Sequence, residues 1–173
     1  MYNSLELIEL LKKEKYEIKV HQHDALFTVE DSKKLRGEID GAHSKNLFLK
    51  NKKNEFFLLS CEEADKIDLK KISKSLEFGN TSFAKEKYLD QYLKIKPGSV
   101  SPFALLNDKS EKVVFYLEQN LYESKFVNFH PLINTLTITI ETKQFIEFMI
   151  ENNKKIHIFS STERKIFKTY EKK

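Results

Sequence analysis

Four short polar stretches in this chain carry residue types that could do chemistry. Gly41-Ala42-His43-Ser44-Lys45-Asn46 runs directly into the apolar Leu47–Leu49. A lysine that opens a strand beside apolar neighbours has a rigid base, and partial desolvation strengthens its pull on an anion. Asn128-Phe129-His130-Pro131-Leu132-Ile133-Asn134-Thr135 sets a histidine in front of a proline, which restricts its backbone, with an asparagine on either side. Such a histidine can donate, accept or take a proton. Lys96–Asp108 gathers Pro97, Gly98 and Pro102 within six positions. The prolines stiffen the loop and the glycine tolerates positive φ, so the backbone N–H groups of Gly98, Ser99, Val100 and Ser101 can be presented to a small polar group. Finally, His21-Gln22-His23 with His43 and Cys61 offers metal-ligand types. The spacing matches no common zinc pattern and Cys61 has no CxxC partner, so no metal site is expected. Cys61 itself sits in an apolar strand context, where an inert buried thiol is the default. Taken singly, each stretch also has a plain structural reading: a surface lysine, a packed histidine, a tight connection.

The elements that must position these residues follow from periodicity and caps. Ser4 can cap a helix over Leu5–Lys15, with Leu5, Ile8, Leu11 and Leu10 as its buried stripe. Tyr16–His21 alternates as a strand. His23–Thr28 is a loop, and Thr28 can cap a helix over Val29–Ile39 that ends before Gly41. Lys45–Lys50 and Glu55–Cys61 form a hairpin around the polar Asn51–Asn54. Asp68 caps a short helix to Leu76, and Ser82 another through Leu93. Phe103–Leu106, Val113–Leu117, Phe126–Phe129, Thr135–Ile140 and Lys155–Phe159 read as strands, with one helical turn at Asn120–Glu123. Thr142–Asn152 is an amphipathic helix with Phe145, Phe148 and Met149 inward. The charged segment from Ser160 has no end signal and is expected to be a frayed or helical tail. Strands and helices interleave irregularly, which favours a mixed α/β fold, a mixed sheet or partial barrel flanked by helices.

Composition bounds the setting. At 173 residues the chain has the length of one domain. No apolar run is long enough to cross a membrane and no signal-peptide pattern opens the chain. A single cysteine suits a reducing compartment, so a cytoplasmic protein is expected. The formal charge is +4, from 30 basic against 26 acidic residues. Lysine clusters at 12–15, 50–53, 70–74 and 165–173 are compatible with phosphate contacts, which give salt-sensitive and unselective affinity. No GxGxxG or GxxxxGK[ST] follows a strand, so nucleotide-cofactor folds lose support.

Leu26-Phe27-Thr28-Val29-Glu30, Gly41–Lys50, Lys96–Asp108 and Asn128–Thr135 together resemble, in the same order, the YbaK-like aminoacyl-tRNA deacylases. The likeness is greatest to freestanding prolyl-tRNA editing proteins and covers roughly residues 1–160, leaving 161–173 as a charged tail. It implies hydrolysis of a mischarged tRNA, alanine on proline tRNA foremost, with no cofactor, no metal and no covalent nucleophile. A hydroxyl of the terminal ribose helps to activate the water in that family. The implied partners are the acceptor end of mischarged proline tRNA and a transient association with prolyl-tRNA synthetase, for a monomeric chain away from membranes. An aminoacyl ester is already activated, so a positioned water and oxyanion stabilisation can suffice.

By that resemblance Lys45, Asn46 and His130 are the catalytic set. Lys45 would bind the 3′ end or the developing charge, while Asn46 and His130 would orient the aminoacyl group and water. Gly98, Ser99, Val100, Ser101 and Pro102 would hold the ester or ribose. Val20, Leu26, Phe27 and Thr28 would line an amino-acid pocket that admits alanine and excludes proline by overlap. The chain departs from the family at Gln22-His23, Ala84 and Leu136, which bears on amino-acid preference more than on reaction class. Two alternatives stay open: a deacylase for another mischarged tRNA, such as Cys-tRNA, and a non-catalytic tRNA-binding module on the same fold.

Overall fold

The computed structural model describes residues 1–25 and 39–173. The helix expected over Val29–Ile39, apart from its last residue, lies outside the described residues. So do Leu26, Phe27 and Thr28.

Helix α1 spans Ser4–Lys13 and is capped by Asn3, not by the expected Ser4. Asn3 accepts the Glu6 N–H at 3.0 Å and donates its own N–H to the Glu6 carboxylate at 2.8 Å, a reciprocal box that satisfies two end donors. That phase turns Leu7, Ile8 and Leu11 inward and leaves Leu5, expected in the stripe, exposed.

The strands are β1 (Ile18–Gln22), β2 (Ala42–Asn51), β3 (Phe56–Glu62), β4 (Thr81–Phe83), β5 (Val113–Glu118), β6 (Phe126–Phe129), β7 (Leu136–Glu141), β8 (Ile156–Ser160) and β9 (Lys165–Tyr170). They form one mixed sheet in the order β1-β7-β6-β2-β3-β5-β8-β9, with β4 paired to β2. Strand β2 is the hinge of this sheet. Its start runs parallel to β6 through Ala42 and His43, and its body forms the expected antiparallel hairpin with β3 over Ser44–Lys50. The alternating side chains of β2 and β3 feed two cores. Phe48, Phe56 and Leu58 join Phe103, Phe129, Phe145 and Phe148 in the larger one. Leu49, Phe57, Leu59 and Cys61 join Ile72 and Phe78 in the smaller. Helix α2 (Leu69–Ser75) is capped by Asp68 as expected. Helix α5 (Thr142–Glu151) buries Phe145, Phe148 and Met149, also as expected.

Three expectations are corrected. Phe103–Leu106 is not a strand but part of a 3-10 helix, Pro102–Asn107, that is buried throughout. Ser101 Oγ accepts the Phe103 N–H at 3.3 Å and Pro102 is pre-set for a first helical position, so the turn starts there. A short run that is apolar all round carries no period with which to tell helix from strand. Ser82 opens no helix. It lies in β4, opposite Lys50, and helical structure begins only at α3 (Glu86–Tyr88), which continues as a π-helical turn over Leu89–Leu93. The C-terminal tail is neither frayed nor helical: β9 pairs antiparallel with β8. Its side chains are solvated on both faces, so backbone pairing leaves no hydrophobic alternation in the sequence.

Candidate functional site

Strand alternation sorts the polar residues of β1, β7, β6 and β2. Val127, Phe129, Ile138 and Ile140 point into the larger core. Their neighbours Asn128, Thr137 and Thr139 share the opposite face with His21, opposite Thr137, and with His43, opposite Asn128. Lys45, two residues past His43 on the same strand, continues that polar face.

A hydrogen-bonded chain crosses it. Thr139 Oγ1 donates to Asn128 Oδ1 at 2.5 Å, so its proton is committed. The His21 Nε2, 3.0 Å from Thr139 Oγ1, is therefore the donor of that pair. Asn128 Nδ2 in turn donates to the carbonyls of Asp40 (2.9 Å) and Ala42 (3.3 Å), anchoring the entry to β2. Gly41 makes this entry feasible. Its φ is +98°, and a Cβ there would lie 2.9 Å from both Cβ and O of Phe126, so only glycine lets the chain pass β6 at this distance.

Two histidines meet beside this chain. His23 Nδ1 donates to the Asp24 carbonyl at 2.8 Å, so in the neutral ring Nε2 accepts from Thr137 Oγ1 at 2.9 Å. The ring of His130 sits 5.9 Å from that of His23. His130 Nδ1 donates to the Leu136 carbonyl at 2.8 Å, which leaves Nε2 as the acceptor of the neutral ring. Burial lowers the pKa of His130; the bond to Leu136 opposes this, and His23 adds to the lowering. His130 is neutral at pH 7.

The half-buried Lys45 Nζ donates to the carbonyl of Glu63 at 3.3 Å and to that of Asp65. Glu63 ties this cation to the histidines, since its N–H donates to the His43 carbonyl at 2.8 Å and its carboxylate favours the charged form of His130. Asp65 is held by Asn120 Nδ2, which reaches both carboxylate oxygens at 3.1 and 3.2 Å. No carboxylate lies within ion-pair distance of Lys45 among the described residues. An ammonium has three donors, and two carbonyls occupy two of them. Asn46 points the other way. Its Oδ1 accepts from Ser60 Oγ at 2.5 Å and its Nδ2 donates to Ser44 Oγ at 3.2 Å, while Ser44 donates to the Asn128 carbonyl at 2.8 Å. Adjacent strand residues face opposite sides, so Lys45 and Asn46 do not share a surface.

The proline-glycine loop approaches from the far side. Gly98 has φ +84°, and Asn134 Nδ2 lies 3.5 Å from where a Cβ would stand, which brings residues 97–102 against the loop after His130. Ser99, Ser101 and Pro102 are buried, and Val100 packs against the larger core. Val20 lies on β1 opposite Ile138 and is 40% exposed. Cys61 is fully buried in the smaller core, and burial pushes its thiol far up.

Glu63, Asp65 and Thr137 were not singled out by sequence, and His23 only as a metal-ligand type and a departure from the family pattern. The last two had a signal: His21-x-His23 and Thr137-x-Thr139 are matching alternations on strands that pair. Glu63 and Asp65 had none, because they act on Lys45 through main-chain carbonyls that every residue has.

Comparison with known proteins identifies the family. The family signature of the aminoacyl-tRNA editing domain matches residues 23–148. A prolyl-tRNA editing protein, ProX, of Acetoanaerobium sticklandii is 35% identical over 120 residues, covering 69% of this chain and 73% of its own. A prolyl-tRNA synthetase associated domain-containing protein 1 of Xenopus laevis is 35% identical over 133 residues, covering 74% and 79%. The solved structure of a proposed trans-editing enzyme for prolyl-tRNA synthetase superposes with a TM-score of 0.65 at 16% identity, covering 90% of this chain and 96% of the other, which supports the shared fold. The chain belongs to the aminoacyl-tRNA editing domain family, enzymes that deacylate mischarged tRNA.

Proposed function

We propose that this chain is a trans-editing deacylase whose preferred substrate is Ala-tRNA(Pro), bound through the tRNA acceptor end. The observation that carries the reading is Lys45: a half-buried ammonium on a core strand, cradled by two carbonyls and unneutralised by any carboxylate among the described residues. Its remaining donor suits a phosphate oxygen of the 3′ end or the charge growing on the ester oxygen. Neutral His130 presents Nε2 as an acceptor that orients the attacking water or the α-amino group. The backbone of Gly98–Ser101 holds the ester or ribose. Asn46 acts as a positioning residue, through Ser44 and the Asn128 carbonyl, rather than on substrate. The pocket that excludes proline is assigned to Val20, Leu26, Phe27 and Thr28 on the family resemblance alone. The chain works as a monomer in the cytoplasm and meets prolyl-tRNA synthetase transiently, with residues 1–160 as the editing unit.

The test is single-turnover hydrolysis of Ala-, Pro- and Cys-tRNA(Pro). Rapid loss of alanine with proline retained is expected. Preferential loss of cysteine would move the substrate assignment, and no hydrolysis of any would leave a binding module.

A further inference from the structure

The C-terminal strand lies beyond the residues matched by the family signature, and it carries a surface that the editing chemistry does not use. Residues 161–173 hold five basic side chains against two acidic ones, a net +3 where the whole chain has +4. Four of these charges, Glu163, Lys165, Glu171 and Lys172, are met locally, through Lys165–Glu163 at 2.5 Å, Lys155–Glu171 at 2.8 Å and Lys172–Glu151 at 3.8 Å. Lys168 and Arg164 have no such partner among the described residues.

Lys168 is instead set among aromatic rings. Its Nζ donates to Tyr122 Oη at 3.1 Å and lies 4.5 Å from the ring centre of Tyr170 and 5.6 Å from that of Tyr122. The two tyrosines share a hydrogen bond of 2.9 Å, and the Phe167 ring stands 6.1 Å from that of Tyr122. Neighbouring strand residues normally face opposite ways, yet Phe167 and Lys168 both reach Tyr122. The pairing explains it. Ile158 is opposite Lys168 and Phe159 opposite Ile166, so Phe167 is the extra residue of a β-bulge, which turns it onto the Lys168 side. Phe167 remains 43% exposed and Ile166 40%. A cation without a counter-charge beside an exposed ring is the pairing that RNA uses, a phosphate on the one and a base or ribose on the other. Position fits as well. Tyr122 lies on the short helix α4 (Gln119–Glu123), two residues and about 3 Å of rise past Asn120, which holds the Asp65 that holds Lys45.

We propose that the Tyr122–Phe167–Lys168–Tyr170 patch, with Arg164 beside it in sequence, is an RNA-docking surface. It takes the tRNA at a distance from the scissile ester, with the backbone on Lys168 and Arg164 and an unpaired base or ribose face on Phe167. The proposal rests on tRNA being the substrate, and the assay keeps the two apart by reading binding without chemistry.

Fluorescence anisotropy with uncharged tRNA(Pro) transcript, at several salt concentrations, compares wild type with Phe167→Ala, Lys168→Gln and the double variant. Gln keeps a hydrogen-bonding group for Tyr122, and melting curves check that each variant folds. The double variant should bind about tenfold more weakly. Its dependence of log affinity on log salt should be shallower by about 0.7 to 0.9 for the lost lysine contact. Hydrolysis of a small alanyl-adenosine ester should be unchanged. A folded double variant that binds the transcript as tightly as wild type overturns the surface, whatever the enzyme hydrolyses. So does a change of self-association in sedimentation with RNA affinity intact, which would make the β9 edge a contact between copies of the chain. Wild type that binds RNA through these residues but hydrolyses no ester would sink the deacylase reading and leave this one standing.

Discussion

Replacing Lys45 by alanine separates a catalytic lysine from a structural one, because its two kinds of contact have different sizes. In the folded protein its ammonium donates to the Glu63 and Asp65 carbonyls. Both residues are only partly buried, so water can replace the lost donor. The net loss should be about 1 to 2 kcal/mol in stability for the pair. At about 2 to 4 °C per kcal/mol for a chain of this size, the melting temperature should fall by only several degrees. The transition-state contribution is larger. A donor aimed at a developing oxyanion is worth about 2.7 to 4 kcal/mol, so single-turnover hydrolysis of Ala-tRNA should slow by about 10² to 10³-fold. Lys45→Arg should recover only part of the rate, since a planar fork does not fit a cradle of two carbonyls shaped for a compact ammonium. The assay is single-turnover deacylation, with circular dichroism and thermal melting on the same samples. If well-folded Lys45→Ala stays within a few-fold of wild type, Lys45 only ties β2 to the turn after β3, and the site assignment fails.

Cys61→Ser should retain near-normal turnover, since the thiol is buried in the smaller core and protonated; a folded variant that loses activity and traps a thioester would point to cysteine catalysis instead. Gly41→Ala should destabilise by about 1 to 3 kcal/mol or more, because positive φ and a 2.9 Å clash with Phe126 act together, and an unchanged denaturation midpoint would contradict the close passage of β2 over β6. Burial lowers the pKa of His130, and likewise of His21 and His157, below the ordinary 6.5. The unfolded chain therefore takes up protons first as pH falls, so the stability these rings contribute is complete above about pH 6.5 and is lost below it. Melting temperature should drop between pH 7.5 and 5.5, less steeply in His130→Gln, and an identical slope in wild type and variant would show that His130 is not buried neutral.

Local chemistry was legible in the sequence wherever a residue acts through its own conformational limits or its own periodicity. The Pro97-Gly98 loop, the Asp68 cap, the β2–β3 hairpin and the Phe145, Phe148, Met149 face of α5 all follow from φ restriction, side-chain capping or a helical period, which neighbours in space do not alter. Where periodicity vanished, the sequence was silent. Buried Phe103–Leu106 became a 3-10 turn and solvated Lys165–Tyr170 became a strand, because an element that is buried all round or solvated on both faces takes its form from what it packs or pairs against. The site divided along the same line. The expectation that Lys45 and His130 act on substrate rests on residue type and resemblance. That Asn46 faces away from Lys45, that two carbonyls cradle the ammonium and that His23 meets His130 was decided by tertiary structure. Main-chain carbonyls have no sequence signature, and strand register alone determines which of two adjacent side chains reaches a given face.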